Sequence, residues 1–443
     1  MCDRTHAELD RLLSEKEEKI AKLEKRIEKL EGIIALYESP HIPSSKHIIR
    51  EVRTPEEPKE PAKRGAPEGH VGATRQKPKP NRIIDLKPKS CPVCGRKNIT
   101  VLDEHSKVVE DIAIVKTVTE YHYYDCRCEH CKGMFATSDP ELPSEGCFGP
   151  NITSLWEMMY YYGAMPFDRL SHVSKNCFGV EITPGGLHNA VYRNSAIFQP
   201  CFDGIAKRVS RSKYARSDET SYPFNGENYW MWNISTAKDT LVLIRKNRNA
   251  KVLKEVFGEF FDGVLNSDCF RAYDRFKARE YQKCWAHVLR DAKDLAKNSE
   301  EGAELYRKLL HMYDYIRNAK EKHREDSPAV RAWMLKQKRE MGSWIDRHYM
   351  SKAVKNLALR MSKYSEHWFT CLKYDFVEPT NNASERDIRK GVIARKISGQ
   401  HRSVQGQHAR EVMMSTLLTN QKRDINPFQF VLDGIRKHNL CQN

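Results

Sequence analysis

The order of short apolar segments between residues 213 and 285 constrains the fold of this chain more than any other feature. There are five segments, four β-type and one helical: Tyr214–Asp218, Tyr229–Ser235, Thr240–Arg245, the helical Ala250–Phe257 and Gly263–Asp268. Short runs rich in β-branched and aromatic residues are typical of strands, and a 3.6-residue spacing is typical of helices. The pattern predicts an α/β domain built on a sheet, within a larger α+β protein.

Two carboxylates stand at the ends of strands in this pattern. Asp218 ends the first strand, and Asp268 ends the fourth. Strand, strand, strand, helix, strand is the order in which a ribonuclease-H-like sheet begins, and its first and fourth strands place their acids side by side. A later helix supplies a third carboxylate in such a site, and Glu385 is placed for this role.

An acidic triad of this kind suits divalent metal and phosphoryl transfer. Mg²⁺ (or Mn²⁺) prefers hard oxygen ligands, and a few side chains suffice because water and phosphate oxygens fill the remaining positions. Two ions about 3.5–4 Å apart can activate the attacking oxygen and stabilise the leaving oxygen at phosphorus. Histidine or cysteine ligands would select softer metals instead.

Each acid also has a structural interpretation. Glu219 rivals Asp218, and only one of them can serve because neighbouring strand residues point to opposite faces. Asp268 could be a simple helix cap. Glu385 fits a capping box in which Asn382 is the N-cap and Glu385 lies three residues further on.

Basic side chains accompany the acids. His287 and Arg290 lie three residues apart, so they share a helix face, where they could contact a scissile phosphate or position a nucleophile. A purely structural histidine is the alternative. Cations that could grip a DNA backbone, or merely form a solvated helix face, follow Glu385: Arg386, Arg389, Lys390, Arg395, Lys396, Arg402 and Arg410.

The cysteines predict a structural zinc site. The chain has 13 cysteines, an odd number, which in a reducing compartment favours thiols or metal ligands over a disulfide framework. Two pairs with two intervening residues suit a tetrahedral zinc ribbon: Cys91, Cys94, Cys128 and Cys131. We expect a β-type segment, Lys107–Tyr124, between the two pairs. Cys126 could substitute for one ligand, and His130 is a weaker rival. Four protein ligands leave no open position for catalysis.

Net charge and a helical hairpin both suggest a nucleic-acid partner. The formal net charge is +16, which favours a polyanion because Lys and Arg near phosphates release counterions. Gly179 followed by Thr183-Pro184 predicts a helix-turn-helix, since Thr is a good N-cap and Pro a good first helical residue. Its second helix would show four side chains outward: His188, Asn189, Arg193 and Asn194. An ordinary helical hairpin is the alternative.

The N-terminal segment carries a heptad pattern. Leu13, Ile20, Ile27 and Ile34 lie seven residues apart, which predicts a coiled coil and self-association. A single amphipathic helix packed on its own chain is the alternative. No run of about 18 apolar residues exists and the N-terminus lacks an apolar signal core, so we expect no membrane span and a cytoplasmic, nucleoid-associated protein.

Several stretches together resemble the transposases of the insertion sequence 66 family. The matching strings are Gly65-Ala-Pro-Glu-Gly-His-Val-Gly72, Cys91-Pro-Val-Cys94-Gly95, Ser217-Asp-Glu-Thr220, Cys284-Trp-Ala-His287, and Asn381-Asn-Ala-Ser-Glu-Arg386 with Arg395-Lys396. They cover nearly the whole chain, and the last two are the most discriminating. One departure is Cys269, which follows the second Asp where the family usually has a small residue.

The resemblance implies a DNA transposase of a mobile element. It implies cleavage at element ends, joining of 3′ hydroxyls to target DNA, and catalytic roles for Asp218, Asp268 and Glu385. The implied partners are the double-stranded DNA of the ends and the target, a second copy of the chain through the coiled coil, and small accessory proteins. A DNA-binding regulator with an inactive nuclease fold, and a ribonuclease-H-like nuclease without strand transfer, are the rival interpretations.

This gives a layout of six parts, since 443 residues are too many for one compact core. They are a coiled coil (1–38), a Pro-rich linker (39–90), a zinc ribbon (91–136), a helical DNA-binding region (147–212), a ribonuclease-H-like catalytic domain (213–412) with a helical insertion at about 291–375, and a C-terminal module (413–443).

Overall fold

The computed structural model describes residues 78–97, 99–399 and 402–442 and five isolated positions, Lys16, Ile20, Leu23, Glu24 and Ile27. These five positions are helical and exposed. The rest of the predicted coiled coil, linker residues 39–77 and the 65–72 motif lie outside the described residues. The chain divides into two units, Met1–Thr117 and Val118–Asn443. No helix of the described residues is long and apolar enough to cross a membrane.

The β-type segment expected at Lys107–Tyr124 is not a strand. Residues 99–124 form neither helix nor strand, and apolar side chains such as Leu102 and Ile112 are exposed. A β-type sequence becomes a strand only where a second strand takes up its backbone hydrogen bonds. The first regular strands of the described chain are β1 (Asp125–Arg127) and β2 (Met134–Ala136), which pair as an antiparallel hairpin.

Four helices precede the large sheet: α1 (Pro150–Glu157), which continues as a π-helical turn, α2 (Phe167–Phe178), α3 (Pro184–Ile197) and α4 (Gln199–Ser210). The predicted turn between α2 and α3 is confirmed. Gly179 ends α2 with φ 63°, and the Thr183 hydroxyl accepts the Gly186 N–H at 3.1 Å. The outward orientation predicted for Asn194 is wrong. It continues the buried stripe of α3 that Leu187 begins seven residues earlier, and only 9% of Asn194 is exposed.

The large sheet has five strands in the order β5-β4-β3-β6-β7. They are β3 (Tyr214–Phe224), β4 (Glu227–Ser235), β5 (Thr240–Arg245), β6 (Phe260–Ser267) and β7 (Lys277–Lys283), with α5 (Lys251–Phe257) between β5 and β6. β3 pairs antiparallel with β4 and parallel with β6, so the first and fourth predicted strands are neighbours. β3 and β4 extend beyond their predicted ends because Asn225 and Gly226 both have positive φ, as a tight hairpin turn requires.

A helical insertion follows the short helix α6 (Arg271–Asp274) and β7. It contains α7 (Trp285–Ala296), α8 (Glu300–Glu321), α9 (Pro328–Ser343), α10 (Lys352–Lys363) and a 3₁₀ turn (Thr370–Leu372). Ser299, Ser327 and Ser351 cap the last three helices with their hydroxyls. Fully buried Trp285, Trp368 and their neighbours form a separate apolar core here, so the insertion packs around its own centre.

Three helices complete the chain: α11 (Asn382–Ser398), α12 (Val404–Lys422) and α13 (Pro427–Gln442). The domain boundary expected at 412/413 falls inside α12. Trp156 of α1, Met231 of β4 and Met413 of α12 belong to one apolar core. The helical region, the sheet and the C-terminal helices therefore pack together, because α12 buries its apolar side chains against both α4 and β5.

Candidate active site

The register of β3 and β6 places the first two acids side by side. The paired residues run from Tyr214 opposite Val264 to Arg216 opposite Asn266. Asp218, within β3, and Asp268, directly after β6, each lie two residues beyond the last pair, and the two strands run about 4.8 Å apart. The sheet therefore brings together the two aspartates that the sequence singled out.

The chain before α11 is hydrogen-bonded to β3 and β6 next to the two aspartates. Asn266 of β6 donates to the carbonyl of Thr380 at 3.2 Å, and Asn381 donates to the carbonyl of Ser217 at 2.8 Å. Both side chains are fully buried. These amides fix the start of α11 between β3 and β6, so Glu385 enters the site from the first turn of the helix.

The rest of α11 lies close to the sheet. Buried Asn233 of β4 donates to the Ser384 hydroxyl at 2.7 Å. Two turns later, Gly391 faces Met231 so closely that a Cβ would collide with its sulfur. A larger residue at this point would have to push the end of the Met231 side chain aside, and Met231 is buried.

The capping-box interpretation of Glu385 is wrong. Helix α11 begins at Asn382, so its N-cap is Asn381, and the Asn381 side chain makes no cap hydrogen bond. Its amide is committed to β3 instead. The Glu385 carboxylate accepts a hydrogen bond from Arg290 Nη2 at 2.7 Å, and His287 Nε2 lies 3.4 Å from the same oxygen. The predicted pair on α7 therefore shares one face and contacts the third acid.

Charge repulsion between the acids is visible in Asp218. Burial raises the pKa of Asp218 well above its usual range, and Glu219, Asp268 and Glu385 raise it further. Its Oδ1 accepts the N–H of Glu219 at 3.0 Å, and Asp268 Oδ1 accepts the N–H of Phe270 at 2.9 Å. These two backbone N–H groups hold one oxygen of each aspartate in place. A cation between the carboxylates would relieve their repulsion.

His287 carries positive charge beside the acids. Burial lowers its pKa, but the Cys284 side chain and the charges of Asp268 and Asp218 outweigh burial and raise the pKa to about 10. The imidazole is therefore protonated at neutral pH. His287 and Arg290 together present two cations to Glu385.

Glu219, the rival of Asp218, is engaged elsewhere. Its carboxylate accepts hydrogen bonds from Arg248 at 2.9 Å and from the Tyr273 hydroxyl. Arg248 is stacked between Trp230 and Phe270, with its guanidinium carbon 4.3 Å and 3.9 Å from the two ring centres. Burial, followed by the charge of Asp268, raises the pKa of Glu219 to about 7.

Sequence reasoning did not identify Arg248 or Tyr273 as part of this site. Arg248 lies outside the motifs, and Tyr273 ends the motif that contains Asp268 but had no assigned role. Only the folded sheet brings both to Glu219. The signal available in the sequence was Glu219 itself, because a carboxylate in a strand needs a partner when the fold buries it.

The cations after Glu385 divide into two groups. Arg386, Arg389 and Lys396 are exposed on α11, as is Arg402 beyond the helix. The others are engaged: Arg395 donates to Ser221, Lys390 lies over the Tyr162 ring, and Arg410 is only 1% exposed. The expectation that the whole set faces DNA is wrong for Arg410, whose position on α12 is covered by Tyr160 and Tyr161 of the π-helical turn.

The donor chemistry of the triad fits a hard divalent ion. Its three side chains, from β3, from the end of β6 and from α11, are all carboxylates, the hard oxygen donors that such an ion prefers. In the described part of the chain, however, no group of three or more His, Cys, Asp or Glu side chains is arranged to hold a metal. Glu385 is turned to Arg290 and His287, so it must exchange these partners to join Asp218 and Asp268.

The first cysteine pair of the predicted zinc site lies on a tight turn. The Cys91 N–H donates to the carbonyl of Arg96 and its carbonyl accepts the N–H of Gly95, both at 2.8 Å. Gly95 has φ 73°, as the turn requires. Backbone N–H groups of Cys94 and Val93 lower the pKa of Cys91.

The second pair, in the other unit, repeats this geometry. The Cys128 N–H donates to Gly133 at 2.9 Å and its carbonyl accepts the N–H of Lys132, which has φ 58°, at 2.8 Å. Backbone N–H groups of Cys131 and His130 lower the pKa of Cys128. Cys126 lies outside this turn, in β1 opposite Phe135.

A five-stranded sheet among many helices fits the domain of a DDE-type transposase, the class named for three metal-binding acids. Residues 145–409, more than half of the chain, match the family model described as the transposase IS66 family. The chain belongs to this family, and thus to the enzymes that process nucleic acid. It is also 22% identical over 402 residues to the uncharacterized protein y4hP of Sinorhizobium fredii. The aligned region covers 80% of this chain and 72% of that protein.

Proposed function

We propose that the chain cleaves the ends of its own mobile element and joins them to target DNA by phosphoryl transfer. The observation that carries the proposal is the register of β3 and β6, which sets Asp218 beside Asp268, with Glu385 delivered by α11. These three carboxylates would hold Mg²⁺ or Mn²⁺, which when bound activates the attacking oxygen and stabilises the leaving oxygen.

Arg290 and His287 are proposed to bind the scissile phosphate. About half of the Arg290 side chain is exposed, so an incoming phosphate can reach its guanidinium. Arginine binds phosphate and carboxylate with the same planar fork, and a phosphate oxygen can therefore replace the Glu385 carboxylate. The exchange frees Glu385 to turn towards the aspartates while the cations hold the substrate.

The exposed cations of α11 extend this surface. Arg386, Arg389 and Lys396 recur at helical spacing on the helix that carries Glu385. We propose that they contact the DNA backbone next to the cleavage point. Contacts of this kind position the duplex without reading its sequence. Base recognition is assigned to the α2–α3 hairpin, where Asn189 is exposed near the start of the second helix.

A structural zinc ion is proposed for Cys91, Cys94, Cys128 and Cys131. Each pair lies on a turn with the same backbone hydrogen bonds, and each turn lowers the pKa of its first cysteine. The thiolate is the form that binds metal. The heptad at the N-terminus is proposed to join two copies of the chain, and small accessory proteins of the element are proposed as further partners.

The test uses purified full-length protein, labelled DNA carrying the element ends, target DNA and Mg²⁺ or Mn²⁺. Wild type is compared with Asp268→Asn and Glu385→Gln, and cleaved and joined products are quantified. The matched control is Asp262→Asn, because Asp262 lies on β6, the strand that leads to Asp268, but is exposed and paired with Arg279. We expect both site variants to bind DNA but lose cleavage, and Asp262→Asn to behave as wild type.

Three other outcomes would contradict the proposal. Binding without cleavage by wild type, even with accessory proteins supplied, would support the regulator interpretation. Cleavage without joined products would support a nuclease that lacks strand transfer. Cleavage by the two site variants at the wild-type rate would place the active site elsewhere.

A further inference from the structure

Lys283, the last residue of β7, is a buried lysine that the proposed mechanism does not use. Its side chain is 1% exposed. Nζ donates to the main-chain carbonyl of Asp268 at 2.9 Å and to the Ser267 hydroxyl at 3.3 Å. Asp274 lies 3.5 Å away as the counter-charge. A buried ammonium is costly unless it is paired and hydrogen-bonded, so a specific use is expected at this position.

The surroundings of Lys283 hold the ammonium in one place. The rings of Tyr364 and Tyr273 lie 4.9 Å and 5.7 Å from Nζ. Asp274 is itself fixed, because Lys363 Nζ donates to it at 2.7 Å and the Tyr364 hydroxyl at 2.5 Å. The lysine therefore has little freedom to leave the Asp268 carbonyl.

We propose that Lys283 is a positioning residue for Asp268, an inference that rests on the proposed metal site. Asp268 stands beyond the last paired residue of β6, where the sheet no longer fixes the backbone. Lys283 fixes its carbonyl, and the Phe270 N–H fixes its Oδ1. With both groups held, the carboxylate keeps one orientation beside Asp218. Preorganisation of this kind raises affinity because less conformational freedom is lost on binding.

The experiment measures Mn²⁺ affinity of the full-length protein without DNA, from the electron paramagnetic resonance signal of free Mn²⁺. Lys283→Met removes the donor at similar volume, and we expect at least a tenfold weaker Mn²⁺ affinity. Lys283→Gln, an uncharged polar side chain too short to reach the carbonyl, serves as a second variant if the first fails to fold. Asp268→Asn provides the reference for a lost site.

The matched control is Lys320→Met. Lys320 is mostly buried in the helical insertion and donates to the carbonyls of Tyr374 and Asp375 at 3.0 Å and 2.7 Å, with Glu325 at 3.1 Å. Lys320→Met therefore loses the same kind of lysine-to-carbonyl contact, but away from the proposed metal site. We expect its Mn²⁺ affinity to equal that of wild type.

The outcomes separate the two proposals. If Asp268→Asn loses Mn²⁺ binding and both Lys283 variants keep it, the positioning role is wrong and the metal site stands. If Asp268→Asn binds Mn²⁺ as wild type does, the metal site itself is wrong. Equal losses in Lys283→Met and Lys320→Met would show general destabilisation and overturn the positioning role.

Discussion

Ser415→Ala is expected to destabilise the protein, because it leaves a backbone N–H at the edge of the five-stranded sheet without an acceptor. β5 is an edge strand of this sheet. On the side that does not pair with β4, the N–H groups of Thr240, Val242 and Ile244 donate to side chains of α12. The acceptors are Thr419 Oγ1 at 3.0 Å, Ser415 Oγ at 2.9 Å and Glu411 Oε1 at 2.9 Å. Four helical residues rise about 6 Å and two strand residues about 6.8 Å, so the two spacings match.

The magnitude follows from burial. Val242 is 2% exposed and Ser415 is fully buried, so no water replaces the lost hydroxyl. A buried donor left without an acceptor costs about 1–3 kcal/mol. Alanine is favoured over serine within a helix by about 0.5 kcal/mol, which offsets part of the loss. The expected decrease in the free energy of unfolding is therefore about 0.5–2.5 kcal/mol.

Urea unfolding followed by tryptophan fluorescence measures this change. The matched control is Ser210→Ala, because the Ser210 hydroxyl bonds only to the Lys207 carbonyl within its own helix. We expect Ser210→Ala to leave the free energy of unfolding unchanged or slightly raised. A Ser415→Ala protein that unfolds at the same urea concentration as Ser210→Ala would refute the account of the sheet edge.

Three further predictions concern function. Arg290→Gln should free Glu385, so Mn²⁺ binds the free protein more tightly while cleavage of element ends slows at least tenfold; unchanged Mn²⁺ affinity, measured by paramagnetic resonance, would contradict the exchange. Replacing Arg386 and Arg389 by Ala should weaken binding to any DNA sequence and reduce its salt dependence. For two lost phosphate contacts, the slope of log affinity against log salt concentration should be smaller by roughly 1.8. A loss of affinity confined to element ends in a binding titration would argue for base recognition instead. Cys128→Ser should release the zinc that elemental analysis finds in wild type, whereas Cys126→Ser should retain it; the reverse result would make Cys126 the ligand.

Local patterns were sufficient for the elements that carry the site. Short β-type runs predicted β3, β4, β5 and β6, and helical spacing predicted α5 between the last two of them. Thr183-Pro184 predicted the start of α3. These signals are short-range, since strand periodicity and helix capping involve residues within a few positions of each other. The same reasoning failed for Lys107–Tyr124, where the composition suits a strand but no partner strand is present among the described residues.

Contacts between distant residues could not be predicted in this way. Arg290 and Glu385 are 95 residues apart, and their contact depends on how α7 and α11 meet over the sheet. Arg410 looked like a DNA-binding cation but is buried, because its side of α12 faces Tyr160 and Tyr161 of the π-helical turn. Charge in a sequence does not state which side of a helix the fold will cover.

The sequence by itself determined the order of elements from β3 to β6, the three candidate acids and the transposase family, because each depends on residue types at fixed spacing. Only the tertiary structure decided what each acid touches. It set Asp218 beside Asp268, gave Glu219 to Arg248 and Tyr273, and turned Glu385 to Arg290. The physical reason is that hydrogen bonds and ion pairs form over about 3 Å, a proximity that only chain folding creates between residues far apart in sequence.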